Sequence, residues 1–414
     1  MRILFVAMVN SVHTARWINL FVDQGWDIHL FPSVEVNLIH PTLKNITIHD
    51  FCYFPQGPFF HRPETDNNVH LVGGIKWHLP RGSGLVNRLL HLIKKVVLKS
   101  SLSDRSKRLS RVIRLVKPDI IHSLETQQAG YLLFAARQRN TENFPCWIHT
   151  PWGSDIYLFG RLTEHRDKIR AVLSVCDYYQ SESERDIELA KKFGFKGKIV
   201  PIMPGNGGYN ISRIFTFRQP GLTSERRLIL LKGYQGWAGR ALCGLCAIRL
   251  AAPFLTGYRV GVYLANDDVK MAVELTALDT GLTIDIIPHC SHDEMLKWHG
   301  QARISLGVSI SDGVPNSMLE AMAMGSFPIQ SENSCADEWI VNGENGLIVP
   351  PENPDEIAAA IRQAIVDDAL VDRAAVINSN LIQERANADK IKFQAISMYQ
   401  EIVDAKLRRG FHFS

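Results

Sequence analysis

Short apolar runs alternate along the whole chain with stretches whose apolar residues recur every three to four positions. In the first half the runs Ile3–Val9, Trp26–Phe31, Ile46–His49, Asp119–Ser123, Cys146–His149, Ala171–Cys176 and Lys198–Ile202 predict strands, with helices at Thr14–Gln24, Gln127–Arg137 and Glu182–Phe193. Pro204-Gly-Asn-Gly-Gly208 interrupts the alternation at the midpoint and reads as a linker. Beyond it the pattern restarts. Strands are expected at Leu228–Leu231, Arg259–Tyr263, Thr283–Ile287, Ile304–Val308, Phe327–Gln330 and Leu347–Val349. Helices are expected at Arg240–Ala252, Val269–Thr280, His292–His299, Ser317–Met324, Asp355–Asp367 and, last and longest, Glu384–Val403. Strands alternating with helices imply parallel sheets covered on both faces. The expectation is an α/β protein of two doubly wound domains facing each other. Ligands in such sheets bind at the carboxyl ends of the strands, where the strand order reverses, which here points to the cleft between the domains.

Charge changes this picture locally. The 414 residues carry a net charge of only +4, but the stretch 81–117 holds eleven Lys/Arg against one acid, Asp104, leaving the rest of the chain net acidic. Within it, Leu85, Val86, Leu89, Leu90, Leu92, Ile93, Val96 and Val97 share one half of a helical wheel, opposite Arg88, His91, Lys94, Lys95 and Lys99. Such a helix can lie on an anionic membrane surface, or it can pack on the core with a solvated basic face; periodicity leaves both open. Nucleic acid is a poor fit, because no aromatic residues interleave with the charges. Seven cysteines without a dense framework suit a reducing, cytoplasmic setting. The apolar start at Ile3 reads as a buried strand rather than a leader, because it stops at Asn10 and an amphipathic helix follows.

The richest chemistry lies in Ser309-Ile-Ser-Asp-Gly-Val-Pro-Asn-Ser-Met-Leu-Glu-Ala-Met-Ala-Met-Gly-Ser-Phe-Pro328. A strand ends near Ser309, a loop carries Asp312 and Gly313, and a helix starts near Ser317 with Glu320 in its first turn. Free N–H groups and the dipole at a helix start suit a diphosphate. Ser317-x-x-Glu320 also reads as a capping box, in which Glu320 only bonds the Ser317 backbone. The residues alone leave both readings open.

This stretch resembles the signature of the retaining glycosyltransferases of family 4, the glycosyl transferases group 1. That signature has two acids with seven residues between them, as Asp312 and Glu320 have, and a tail like Ala321-Met-Ala-Met-Gly-Ser-Phe-Pro328. Glu338-Trp-Ile and Asn345-Gly-Leu-Ile-Val-Pro350 are similar to the family as well. The resemblance implies the GT-B fold, with two Rossmann-like domains. Residues 1–203 would bind the acceptor, 204–385 would bind a nucleotide sugar, and 386–414 would form a helix crossing back to the first domain. It implies transfer of a sugar from a UDP or GDP donor, with retention and without a metal or other cofactor, to a glycan or a lipid-linked acceptor. Glu320 would hold the ribose and Asp312 the donor sugar. Gly313, Asn316, Ser317, Met318 and Leu319 would form the diphosphate-binding turn, with Ser317 and Met318 supplying N–H groups.

Arg240 stands at the family's lysine position, where it would neutralise the leaving diphosphate. Tyr234 stands where the family has arginine, with Lys232 and Gly233 beside it. The first acid is Asp rather than the usual Glu, which leaves the sugar preference open. His149 matches a histidine placed beside the donor sugar. His13 and Arg16, in a first turn that lacks the usual glycines, are candidate acceptor contacts, and Asp155 is either another or a helix cap. The aromatic loop Tyr53–His61 could stack on a sugar or form a local cluster. A nucleotide-sugar epimerase of the same fold, or a non-catalytic nucleotide-sugar-binding protein, is the alternative. A dinucleotide oxidoreductase is disfavoured because no G-x-G-x-x-G follows the first strand. Cys243-x-x-Cys246 and the pair His289 and His292 lack the partners a metal site needs, and the two cysteines are expected to pack in the interior.

Overall fold

The computed structural model describes residues 1–35, 38–50, 67–72, 101–140 and 144–410. The loop Tyr53–His61 and the wheel Leu85–Val97 lie outside these residues. The chain forms two compact units. The first comprises 1–181, 186–207 and 392–414; the second comprises 182–185 and 208–391. The chain thus passes between them at Gly207/Gly208, both at positive φ, rather than at 203/204, and again inside the last helix.

The first unit holds an eight-stranded sheet built from β1 (Arg2–Ala7), β2 (Asp27–Pro32), β3 (Ile46–His49), β4 (Val69–Val72), β5 (Ile120–Leu124), β6 (Cys146–Thr150), β7 (Tyr178–Tyr179) and β8 (Lys198–Ile199). Their order is β4-β3-β2-β1-β5-β6-β7-β8, and every pairing is parallel. The order reverses between β1 and β5. Ile3 to Ala7 are fully buried, as expected of a central strand covered by helices on both faces. The final helix, Ala388–Gly410, packs into this unit through Tyr399, which is fully buried among Phe5, Phe21 and Trp26.

In the second unit β9 (Leu228–Lys232), β10 (Arg259–Tyr263), β11 (Thr283–Ile286), β12 (Ala302–Gly307), β13 (Phe327–Ser331) and β14 (Leu347–Val349) form a six-stranded parallel sheet ordered β11-β10-β9-β12-β13-β14. Here the order reverses between β9 and β12. Apolar residues of the strands and of helices Ala241–Ala251, Asp267–Thr280, Pro354–Val366 and Asp368–Arg385 form one core.

Several expectations are corrected. Ala171–Cys176 is not a strand; helix Thr163–Leu173 buries Ile169, Val172 and Leu173, and its 3.6-residue stripe ends in an apolar run that mimics a strand. The last helix runs Ala388–Gly410 rather than Glu384–Val403, and a separate helix, Asp368–Arg385, precedes it across Ala386 and Asn387. The described part of the basic insert, helix Ser101–Val116, sends Leu109 and Ile113 into the core. Two of its cations meet acids from elsewhere in the unit. Arg105 and Arg108 pair with Glu35 at 3.2 and 2.9 Å, and Arg108 also pairs with Asp50 at 3.1 Å. The acids arrive from after β2 and β3, so sequence distance hides them. Cys246 lies exposed and Cys243 is half-buried, because only part of their helix faces the core. No helix among the described residues is long and apolar enough to cross a membrane.

Candidate active site

The carboxyl ends of β9 and β12 lie side by side at the reversal point of the second unit. After β9, Gly233 donates its N–H to the Tyr263 carbonyl at 2.7 Å. A Cβ at Gly233 would lie 2.8 Å from that same oxygen, so the chain passes closer to its neighbour than any other residue permits. The following loop folds back on itself, and a Cβ at Gly239 would lie 2.0 Å from the Tyr234 carbonyl oxygen. The loop is pinned to the end of β12. Arg240 donates its N–H to Val308, and Ile310 donates to Ala238, at 3.0 and 2.9 Å.

Beyond β12 the chain turns through Asp312, whose Oδ1 accepts the Gly313 N–H at 2.9 Å. Lys232 Nζ stands 3.7 Å from Asp312 Oδ2. Tyr234 is close enough that burial, and after it the Asp312 charge, pushes its hydroxyl up. Helix Asn316–Met324 then begins at Pro315, and the N–H groups of both Met318 and Leu319 donate to the Pro315 carbonyl at 3.0 and 3.2 Å. Met318 is therefore not a free donor, contrary to expectation; the helix-start donor is Ser317, one residue earlier. Met318 and Leu319 bury their side chains in the core and contribute backbone position alone. The capping-box reading also falls. Pro315 is the cap and Ser317 is already inside the helix, so Glu320 has no cap to close. Instead Glu320, 8% exposed, has its Oε1 2.7 Å from Nε2 of His292.

Arg240 reaches the same strand ends but is engaged. Its Nε donates to Glu352 Oε1 at 2.7 Å and its Nη1 to the Gly239 carbonyl at 2.9 Å. His292 and Glu352 were not singled out as site residues. Glu352 follows β14 and carries no sequence signal. His292 opens helix His292–Gln301, whose capping box Ser291/Glu294 was a readable cue to its position, though not to its partner.

The first-unit candidates are placed differently. His149 is buried, with Nδ1 2.8 Å from Ser123 Oγ and Nε2 3.1 Å from Thr126 Oγ1. Burial pushes its pKa down to about 3, so it is a neutral ring with both nitrogens bonded inside the fold, which corrects its assignment as an open catalytic histidine. Asp155 is likewise buried, so it is not an open acceptor contact. Its Oδ2 accepts from the Thr126 N–H and hydroxyl and its Oδ1 from the Trp152 N–H, at 2.8, 2.9 and 2.8 Å, bracketing the loops after β5 and β6. His13 and Arg16 lie on helix Val12–Asn19 beyond the end of β1, and the His13 ring sits 5.4 Å from that of Trp152. Glu125, beyond β5, was missed. It holds φ +80° and ψ 148°, a region almost reserved for glycine, and its carboxylate accepts the N–H groups of Gln127, Gln128 and Ala129. Among the described residues no group of three or more His, Cys, Asp or Glu is arranged to hold a metal.

The family model described as glycosyl transferases group 1 matches residues 260–367, and that described as glycosyl transferase 4-like matches 2–60 and 87–177. Between them they account for well over half of the chain. The protein belongs to the group 1 glycosyl transferases. Solved structures agree on the fold. The sucrose-phosphate synthase of Thermosynechococcus elongatus superposes with a TM-score of 0.65 at 15% identity, covering 98% of this chain and 100% of that one. A glycosyltransferase of Rickettsia africae gives 0.63 at 14%, with 97% and 98% covered. HepE of Anabaena, solved in complex with UDP-glucose, gives 0.62 at 14%, with 97% and 100% covered. No curated protein matches the chain by sequence. This group 1 member is thus a glycosyltransferase of the GT-B type.

Proposed function

We propose that this glycosyltransferase moves a sugar, with retention of anomeric configuration, from a UDP or GDP donor to a hydroxyl of a glycan or lipid-linked acceptor. Polysaccharide or glycolipid synthesis at the cytoplasmic side of a membrane would be its setting. The observation that carries the reading is Lys232 at the end of β9 standing 3.7 Å from Asp312, with the Ser317 N–H and Glu320 on the helix that follows β12. The reading is supported further by a neighbour of the same fold solved with UDP-glucose.

Glu320 would accept from the ribose hydroxyls and Asp312 from a hydroxyl of the donor sugar. Lys232 and the helix start would receive the diphosphate. Arg240 would join them by exchanging Glu352 for phosphate. An exposed ion pair of this kind is worth only about 0–1 kcal/mol, so little opposes the exchange. In the reaction the bond from the sugar's C1 to the diphosphate oxygen breaks. The acceptor oxygen bonds to C1 on the same face, and its proton passes to the departing phosphate. Fixed positive charge where negative charge develops does most of the work, without a metal or an added cofactor. His13 and Arg16 remain our candidates for the acceptor side.

The test is product analysis by proton NMR with a panel of UDP- and GDP-sugars and simple glycoside acceptors. We expect acceptor-dependent product whose anomeric coupling matches the donor's. Product with the opposite anomer would overturn retention. Acceptor-independent conversion of the donor would favour the epimerase, and binding without turnover would favour a non-catalytic nucleotide-sugar-binding protein.

A further inference from the structure

The contact between His292 and Glu320 joins two rigid elements. Helix His292–Gln301 is fixed at its start by the Ser291/Glu294 capping box, with Ser291 N–H to Glu294 Oε2 at 2.9 Å. Further along, Leu296 is buried and His299 is fully buried, with its Nδ1 3.0 Å from Ser305 Oγ on β12. Helix Asn316–Met324 is buried from Met318 onward. The imidazole of His292 is partly exposed, whereas the Glu320 side chain it meets is nine-tenths buried. Among the described residues, Tyr263 and His299 also feel the Glu320 charge.

A carboxylate offers about four acceptor positions, and a single torsion decides where they point. A ring nitrogen 2.7 Å from Oε1 takes one position and fixes the plane of the group. Among the described residues no metal cluster includes His292; it meets an acid 28 residues away on the neighbouring helix. We propose that His292 is a positioning residue for nucleotide recognition: by holding Glu320 Oε1 it aims the carboxylate at the ribose cis-diol and so sets the preference for ribonucleotide over deoxyribonucleotide. This rests on the reading that Glu320 meets the ribose, given above.

The experiment is calorimetric titration of the full chain with UDP and 2′-deoxy-UDP, and with GDP and 2′-deoxy-GDP, comparing wild type with His292→Ala, His292→Met, His292→Gln and Glu320→Ala. A hydrogen bond to a charged group that is lost with the 2′-hydroxyl predicts about tenfold or greater preference for the ribonucleotide in wild type. His292→Ala and His292→Met should bring that ratio to within about threefold of unity, chiefly by weakening the ribonucleotide. His292→Gln, whose amide N–H can reach the same oxygen, should keep most of it. A role confined to packing would weaken both nucleotides equally and leave the ratio unchanged. If the alanine variant does not fold, the methionine variant, similar in length but without a donor, carries the comparison. Wild-type discrimination retained in full by Ala and Met variants overturns the role of His292 and leaves the Glu320 reading standing. No discrimination in wild type, or undiminished discrimination in Glu320→Ala, overturns the Glu320 reading itself.

Discussion

Lys232, the last residue of β9, stands 3.7 Å from Asp312 in the loop after β12, and these two strands meet at the reversal of the sheet. Lys232→Ala removes the cation that faces the Asp312 carboxylate without touching the core. Removing a preorganised charge of this kind costs about a hundredfold in turnover, so kcat should fall that far while the thermal midpoint stays put. Loss of activity together with the fold would contradict this account. Gly239→Ala should behave in the opposite way. Its Cβ would lie 2.0 Å from a backbone oxygen that cannot move aside, and we expect a loss of at least about 2 kcal/mol in denaturant unfolding. At this scale the chain was partly legible. The spacing of Asp312 and Glu320, and glycine at Gly233 and Gly313, follow from local chemistry. The partners His292 and Glu352 do not, because each arrives from another element and no local pattern requires it. Of the two N–H donors expected there, Ser317 and Met318, the second is bonded inside the helix because Pro315, not Ser317, is the cap.

At the scale of elements, the last helix is keyed to the first unit by a polar chain with a consistent direction. Trp17 Nε1–H donates to the Tyr399 hydroxyl at 3.1 Å, which faces His122 Nδ1 at 2.6 Å; His122 Nε2 then faces Thr150 Oγ1 at 2.6 Å, and Thr150 donates to Gln180 Oε1 at 2.7 Å. Each group is donor to the next, so deleting one hydroxyl strands two buried partners. Tyr399→Phe should cost about 1–3 kcal/mol by equilibrium unfolding, and no measurable change would contradict the chain's importance.

Titration of this unit has a definite sign as well. Burial pushes His122 and His149 down to about 3 and His49 to about 4, so the native state stays neutral where the unfolded chain takes up protons. Stability from these groups is complete above about 6.5 and is lost as pH falls below it. Asp155, raised by burial to about 6, opposes them in the acid range. Glu125 is raised to about 8 by burial and then by the Asp155 charge; its contribution is present below about 4.5 and is lost as pH rises through 8. The unit should therefore be most stable near pH 6.5, with the unfolding midpoint falling on both sides in a denaturation series from pH 5 to 8.5. A monotonic rise to pH 8.5 would contradict it. None of this was readable from the chain, since a buried histidine and a surface one look alike in sequence.

At the scale of the whole molecule, the alternation of strands and helices and its restart after Gly208 were legible because parallel sheets impose long buried apolar runs separated by amphipathic helices. The terminal helix is a single piece that starts at Ala388 rather than Glu384, while the helix Asp368–Arg385 before it was not expected, because its weak amphipathic pattern gives no cue. Within the described part of the basic insert, the acids that pair with Arg105 and Arg108, Glu35 and Asp50, follow β2 and β3 and are far away in sequence. Each unit has its own core and its own reversal point, and the acidic pair and its cation all lie in the second. The most direct test is equilibrium binding of UDP-glucose and GDP-mannose, alongside UDP and GDP, to wild type and to Asp312→Ala and Glu320→Ala. The account predicts that wild type binds a sugar nucleotide of at least one base. Asp312→Ala should erase the affinity that the sugar adds over the bare nucleotide, and Glu320→Ala should weaken sugar nucleotide and bare nucleotide alike. Sugar-nucleotide binding that survives both substitutions unchanged, or no binding by wild type at all, would contradict it.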